Sequence, residues 1–181
     1  KQSILDEGEK MSVFYKDMCF HAYDHLIKDE EFLKRITSTF LIREPEKTIL
    51  SHATISPDVT CQEIGYEELF KIFRKVADMT GKIPTVINAD DLEDNPEGIV
   101  EAYCDSIGIP FIKEALYWKA EHKSEWDSWK EWHADAAVST GIQKNMEKFT
   151  FTMEDKPHLK SYYEYHLPFY EALNKHAIKP K

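Results

Sequence analysis

Residues 40 to 52 read FLIREPEKTILSH, and how they are read decides the fold. An apolar run of the kind that makes a buried strand stops at Arg43, a permanent cation; Glu-Pro follows, then a helical pattern that carries Ser51. Pro45 pre-sets the first turn of that helix, where a missing N–H costs nothing. From Pro45 to Ser51 the helix climbs about 9 Å at the standard rise per residue. An arginine ending a strand and folded back over the turn can meet the Ser51 hydroxyl on one tetrahedral anion, because the guanidinium fork gives paired charge-assisted bonds. Phosphate or sulfate suits that geometry. The competing reading is a salt bridge to Glu44, Glu46 or Asp90, and the arginine taken alone favours it.

Outward from this stretch, three strand candidates are each associated with a helix: MSVFYKD at 11–17, TSTFLIRE at 37–44 and IPTVINADDL at 83–92. The first leads into CFHAYDHLIKDEEFLKR at 19–35, with Asp17 placed as an N-cap. Before the third lies YEELFKIFRKVADMTG at 66–81, where Tyr66, Leu69, Phe70, Phe73, Val76 and Ala77 keep helical spacing and Gly81 supplies the stop. After it comes NPEGIVEAYCDSIGIPF at 95–111, with Asn95 as cap, Pro96 at the first helical position and Gly108 just past the end. Strands alternating with helices predict an α/β fold with a parallel sheet. The strands show little polar alternation, as expected when helices cover both faces.

Beyond residue 117 the character changes. YWKAEHKSEWDSWKEWHADAAVSTG holds all four tryptophans, with Trp126, Trp129 and His133 on one helical face. KPHLKSYYEYHLPFYEALNKH at 156–176 reads as a final amphipathic helix, interrupted or kinked at Pro168. Together these make a helical C-terminal part, and nothing marks a linker, so the chain reads as a single domain.

Bulk properties narrow the function. At 181 residues and 42% hydrophobic, the chain can bury one good core. A net charge of −10, with 23 Lys and Arg scattered among 33 acids, argues against nucleic acid as a partner. No apolar run approaches a bilayer span, which argues against a membrane partner. Three cysteines, Cys19, Cys61 and Cys104, without CxxC spacing fit a reducing compartment and hence the cytoplasm. His21 and His25 form an i,i+4 pair that lacks a third ligand at a suggestive spacing, so no metal is expected.

The order of the pieces resembles the sulfotransferase family that uses 3′-phosphoadenosine-5′-phosphosulfate (PAPS). A strand followed by Arg, seven intervening residues and Ser matches Arg43 and Ser51; NADDLEDNPEGIVEAYCDSIG at 88–108 is similar to the family's acidic, Asn-Pro and helix segment; FYKDM is similar to the strand carrying the family's Lys. The resemblance covers most of residues 10 to 115. It implies a P-loop NTPase-like fold, Arg43 and Ser51 on the 3′-phosphate of the donor, and Lys16 on the transferring group. It further implies in-line transfer of a sulfuryl group to a hydroxyl or amine of a small-molecule acceptor, leaving adenosine 3′,5′-bisphosphate.

Departures from the family pattern matter as well. The family's histidine two positions after the Lys is Met18 here, which leaves Asp17 and His21 as alternative bases. The Ser/Thr-rich loop that holds the 5′-phosphosulfate has no counterpart among the six glycines of this chain, which points to an N-terminally truncated domain; Lys1 in place of Met agrees. VSTGIQK at 138–144 is a substitute source of N–H groups. Two rival readings are a different P-loop enzyme, such as a small-molecule kinase, and a non-catalytic scaffold on a degenerate transferase fold. Tyr162, Tyr163 and Tyr165, with the tryptophans, suggest an aromatic-walled acceptor cavity.

Overall fold

Phe40–Ile42 (β1) and Val86–Asn88 (β2) pair in parallel in the computed structural model, with Phe40 opposite Val86, Leu41 opposite Ile87 and Ile42 opposite Asn88. The structure describes residues 1–144 and 149–181, and of 129 and 130 the backbone alone. Around the strands lie α1 (Gln2–Gly8), α2 (Cys19–Leu26), α3 (Glu30–Arg35), α4 (Pro45–Ile55), α5 (Cys61–Ile64), α6 (Tyr66–Thr80), α7 (Ala89–Asp94), α8 (Pro96–Ile107), α9 (Lys130–Val138) and α10 (Pro157–Asn174). The architecture is therefore α/β, a small parallel sheet flanked by helices with a helical C-terminal region.

Local chemistry explains most boundaries. Pro45 opens α4, and the Glu44 carboxylate accepts the Lys47 N–H at 3.0 Å. Thr60 and Glu63 form a reciprocal capping box on α5. Asn95 accepts the Gly98 N–H at 3.0 Å ahead of Pro96, and α8 ends on Gly108 at φ 74°. Gly81, at φ 65°, stops α6 as the sequence predicts.

One face of the sheet makes the core. Phe40, Ile42 and Val86 are buried with Ile49 and Leu50 of α4, Ile72, Phe73 and Val76 of α6, and Leu159 and Leu173 of α10. Phe40 and Phe73 meet edge to face at 5.5 Å. Leu41 points the other way and is 52% exposed, so helices do not cover both faces of β1 as the apolar run suggests. On the far side of β2 the chain after α10 continues the sheet: Ala177 bridges Val86 in parallel and Ile178 N–H donates to Val86 O at 2.9 Å. Lys179 then pairs with Asp91 at 2.7 Å, and Lys181 with Asp105. Gly98 allows this tail to pass, since a Cβ there would lie 2.8 Å from Pro180 Cβ.

Four sequence readings change. MSVFYKD is irregular and exposed rather than a strand, with Phe14 80% exposed. A strand needs a ladder for its N–H and C=O groups, and this segment finds none among the described residues. The helix over 19–35 is two helices, because Asp29 breaks it and accepts the Phe32 N–H at 3.0 Å to start α3. Asp17 does not cap α2: the cap position is Met18, and the Asp17 carboxylate accepts only the adjacent Met18 N–H among the bonds described, at 2.8 Å. Pro168 sits within α10, which runs unbroken from Pro157 to Asn174.

Asn88 ties three elements together at the carboxyl end of β2. Its Oδ1 accepts the Asp90 N–H at 2.9 Å to cap α7, and its Nδ2 donates to Tyr170 OH at 3.1 Å and to Asn174 Oδ1 at 2.9 Å. Asn88→Ala is expected to destabilise the fold by about 2–3 kcal/mol, from one lost cap and two lost buried bonds. Urea denaturation checks this, and a loss below about 0.5 kcal/mol would contradict it.

Burial also depresses the pKa of two imidazoles, His52 on α4 and His166 on α10, while Glu63 opposes the shift at the first and the Cys61 carbonyl, Glu68 and Glu67 at the second. Below the ordinary histidine value of about 6.5 the unfolded chain takes up protons that the folded chain refuses, so stability falls as pH falls. The carboxylates held low by partners, such as Glu63 and Glu67, lose their contribution only at lower pH. Unfolding free energy is expected to drop between about pH 7 and pH 5, and to drop less in His166→Gln; equal slopes would show that His166 does not carry the effect.

Candidate functional site

The carboxyl end of β1 is where the chain places Arg43, half buried and directly ahead of α4. In an open α/β sheet this edge collects ligands, because loops splay there and helices begin there. The backbone at this point is pinned by Tyr66, the first residue of α6: its hydroxyl donates to Arg43 O at 2.5 Å and lies 2.9 Å from Thr48 Oγ1 on α4. Tyr66 is buried, and that burial pushes its pKa up to about 12, so it remains a neutral donor. Lys47, in the first turn of α4, pairs with Asp90 of α7 across the rim and is close enough to Arg43 for the two cations to repel.

This arrangement bears on the salt-bridge reading of Arg43. Glu44 serves as the cap of α4 and Asp90 holds Lys47, and Arg43 has a partner of its own within the fold, so the salt-bridge reading stands beside the anion reading. Glu44 also fills the N-terminus of α4, and anion binding at this rim must draw on side chains more than on helix N–H groups. Ser51 lies half buried on α4. Its neighbour His52 meets the Trp132 ring edge on at 5.1 Å, which brings the tryptophan-rich segment against α4 beside Ser51.

Lys16, Asp17 and His21 lie on the exposed stretch leading into α2 and on its first turn. Asp17 and His21 line a common, half-open cavity of about 400 Å³ with Tyr15, His25, Leu26, Phe32, Lys1 and Ile4. Lys16 does not line it. The joint between α5 and α6 links this region to the rim: Gly65, at φ 78°, lies against Phe20 of α2, with room for a Cβ 3.7 Å from Phe20 N and Cβ, and Tyr66 beside it holds Arg43. Sequence reasoning placed Tyr66 in a helix face and gave it no role toward Arg43. The Gly-Tyr pair after a Thr-x-x-Glu capping box was the local signal available.

The remaining candidates are distributed as follows. Trp126 and His133 stack at 5.0 Å, while the Trp129 side chain lies outside the described residues. VSTGIQK closes on the start of the tryptophan-rich segment: Gly141 bridges Tyr117, Trp118 N–H donates to Thr140 O at 3.1 Å, and Trp118 Nε1 donates to Ser139 Oγ at 3.2 Å. Tyr162 and Tyr163 pack against the core, and Tyr165 donates to Glu67 at 2.5 Å. Among the described residues no three His, Cys, Asp or Glu side chains converge to hold a metal ion, and no helix is long and apolar enough to cross a membrane.

Comparison with known proteins adds independent observations. Two Arabidopsis thaliana proteins are similar to the chain. Branched-chain-amino-acid aminotransferase-like protein 1 is 32% identical over 152 residues, 81% of this chain and 26% of that protein. Branched-chain-amino-acid aminotransferase-like protein 2 is 32% identical over 142 residues, 75% of this chain and 24% of that protein. The chain thus spans about a quarter of the length of these curated relatives. No solved structure matches. A family model described as a sulfotransferase domain matches residues 3–177, nearly the whole chain, and the chain belongs to that sulfotransferase family.

Proposed function

We propose that the chain carries out PAPS-dependent sulfuryl transfer to a hydroxyl or amine of a small-molecule acceptor, on a P-loop NTPase-like fold. The observation that carries this reading is Arg43, pinned through its carbonyl by Tyr66 at the carboxyl end of β1, eight positions ahead of Ser51 on α4. A guanidinium and a hydroxyl on one strand-to-helix unit fit the doubly charged 3′-phosphate of the donor nucleotide. The fit is to that end of the nucleotide. Toward the phosphosulfate the residues assigned here offer Lys16 alone.

The chemistry asked of the residues is modest. As in phosphoryl transfer, charge spreads over equatorial oxygens, and catalysis is mostly positioning and cationic stabilisation. The acceptor O–H or N–H loses its proton to Asp17 or His21 as its O or N bonds to sulfur, and the bond from sulfur to the bridging phosphate oxygen breaks, leaving adenosine 3′,5′-bisphosphate. Lys16 stabilises the charge that develops on that departing oxygen. A well-placed base contributes about 100-fold to 10,000-fold. Arg43 and Ser51 convert binding energy far from sulfur into alignment at sulfur. The free thiols of Cys19, Cys61 and Cys104 fit a reducing compartment such as the cytoplasm.

Titration calorimetry of the full-length protein with adenosine 3′,5′-bisphosphate tests the assignment. Arg43→Ala is expected to weaken binding by about 100-fold or more and Ser51→Ala by about tenfold, the loss of a charged and a neutral partner respectively. Unchanged affinity in Arg43→Ala ends the assignment. Stabilisation by ATP in place of the bisphosphate favours a kinase.

A further inference from the structure

A second cavity, of about 330 Å³, lies between α5, the first turn of α6 and the middle of α10, lined by Cys61, Gln62, Glu67, Glu68, Tyr165 and His166. Its volume is at the lower end for small-molecule sites. Two of its lining groups are anomalous. Glu68 is 7% exposed and His166 1% exposed, yet Glu68 Oε2 and His166 Nδ1 are buried without a hydrogen-bond partner. Buried polar atoms are nearly always paired, and each orphan costs about 1–3 kcal/mol.

Both orphans are acceptors. His166 Nε2 lies 2.7 Å from the Cys61 carbonyl, which can only accept, so Nε2 carries the proton and Nδ1 of the neutral ring presents a bare lone pair. The Glu68 carboxylate likewise only accepts. Of the donors nearby, Tyr165 OH and Lys71 both go to Glu67, Lys71 also sits 5.7 Å from the Tyr23 ring centroid, and the Gln62 carboxamide on the cavity wall bonds to neither orphan. The N-terminus of α6 gives Glu67 and Glu68 a favourable field, but no hydrogen bond to Oε2. Burial, and after it the negative charge of Glu68, pushes the Cys61 thiol up and the Cys19 thiol up to about 12.

An acceptor-lined, negatively charged, half-enclosed hole beside the Tyr165 ring calls for a ligand that brings hydrogen-bond donors, positive charge and little bulk. We propose that this cavity binds the protonated amine of a small-molecule ligand, with the ammonium donating to Glu68 Oε2 and His166 Nδ1. Tyr165 adds an aromatic wall of the kind that favours cations. The stretch that carries the proposed base leads into α2, and α2 packs against α5 and α6, the helices that form one wall of the cavity. Resting on the sulfotransferase reading, the ligand is then the sulfuryl acceptor, an amino-bearing small molecule whose ammonium anchors here.

The site can be tested without nucleotide. Titrating the full-length protein with n-propylammonium chloride, and with 1-propanol as the neutral isostere, is expected to show binding of the cation alone. Glu68→Gln keeps the shape and removes the charge; it is expected to weaken the ammonium by about tenfold or more while leaving adenosine 3′,5′-bisphosphate affinity unaltered. Because a core variant can fail to fold, the 15N resonance of His166 Nδ1 in the unaltered protein gives a second readout, moving when the ammonium binds. Equal binding of propanol, an unaffected Glu68→Gln variant, or a still Nδ1 resonance under saturating ammonium would overturn the site, as would a high-resolution structure in which only an ordered water bridges the two orphans and ammonium fails to displace it. Ammonium binding without bisphosphate binding would preserve the site and overturn the donor reading instead.

Discussion

The hydrogen bond from Tyr66 to the carbonyl of Arg43 is the constraint on which the functional geometry depends. It closes the end of β1 against the start of α6, and Thr48 shares the same hydroxyl from α4, so one buried phenol fixes a strand, the helix that follows it and a helix 23 residues away in sequence. Burial makes that bond costly to leave unmade. The consequence is an arginine whose backbone cannot drift while its side chain stays at the rim. Remote binding energy is useful only on such a fixed support.

Tyr66 also stands between two charged regions. On one side Arg43 and Lys47 lie among Glu44 and Asp90 at the sheet edge, on the other Glu67, paired with Lys71, and Glu68 head α6. The Tyr66 ring lies 5.9 Å from His166 and 6.1 Å from Tyr170, which in turn reaches Asn88 at the end of β2.

Much of this was legible in the sequence where the signals are local. Pro45, Asn95 with Pro96, Gly81 and Gly108 mark helix ends through their own backbone preferences, and α4, α6 and α8 fall where those residues put them. The Arg43 to Ser51 spacing survives as a strand-to-helix unit for the same reason. What failed depended on partners. MSVFYKD has the composition of a strand, but composition does not supply a ladder, and the exposed Leu41 face shows that an apolar run need not be covered on both sides. Asp17 looked like a cap because its residue type favours caps, whereas the chain turns into α2 one residue later. The pairing of Cys61 with His166 spans 105 residues, and no local pattern announces a contact of that separation.

The central claim is that Arg43 and Ser51 grip the ribose phosphate of a sulfuryl donor, and a crystal structure of the full-length protein with adenosine 3′,5′-bisphosphate addresses it most directly. The account predicts the 3′-phosphate within hydrogen-bonding distance of both the Arg43 guanidinium and the Ser51 hydroxyl, at the carboxyl edge of β1. A nucleotide seated elsewhere, with these two side chains facing apart, would contradict it.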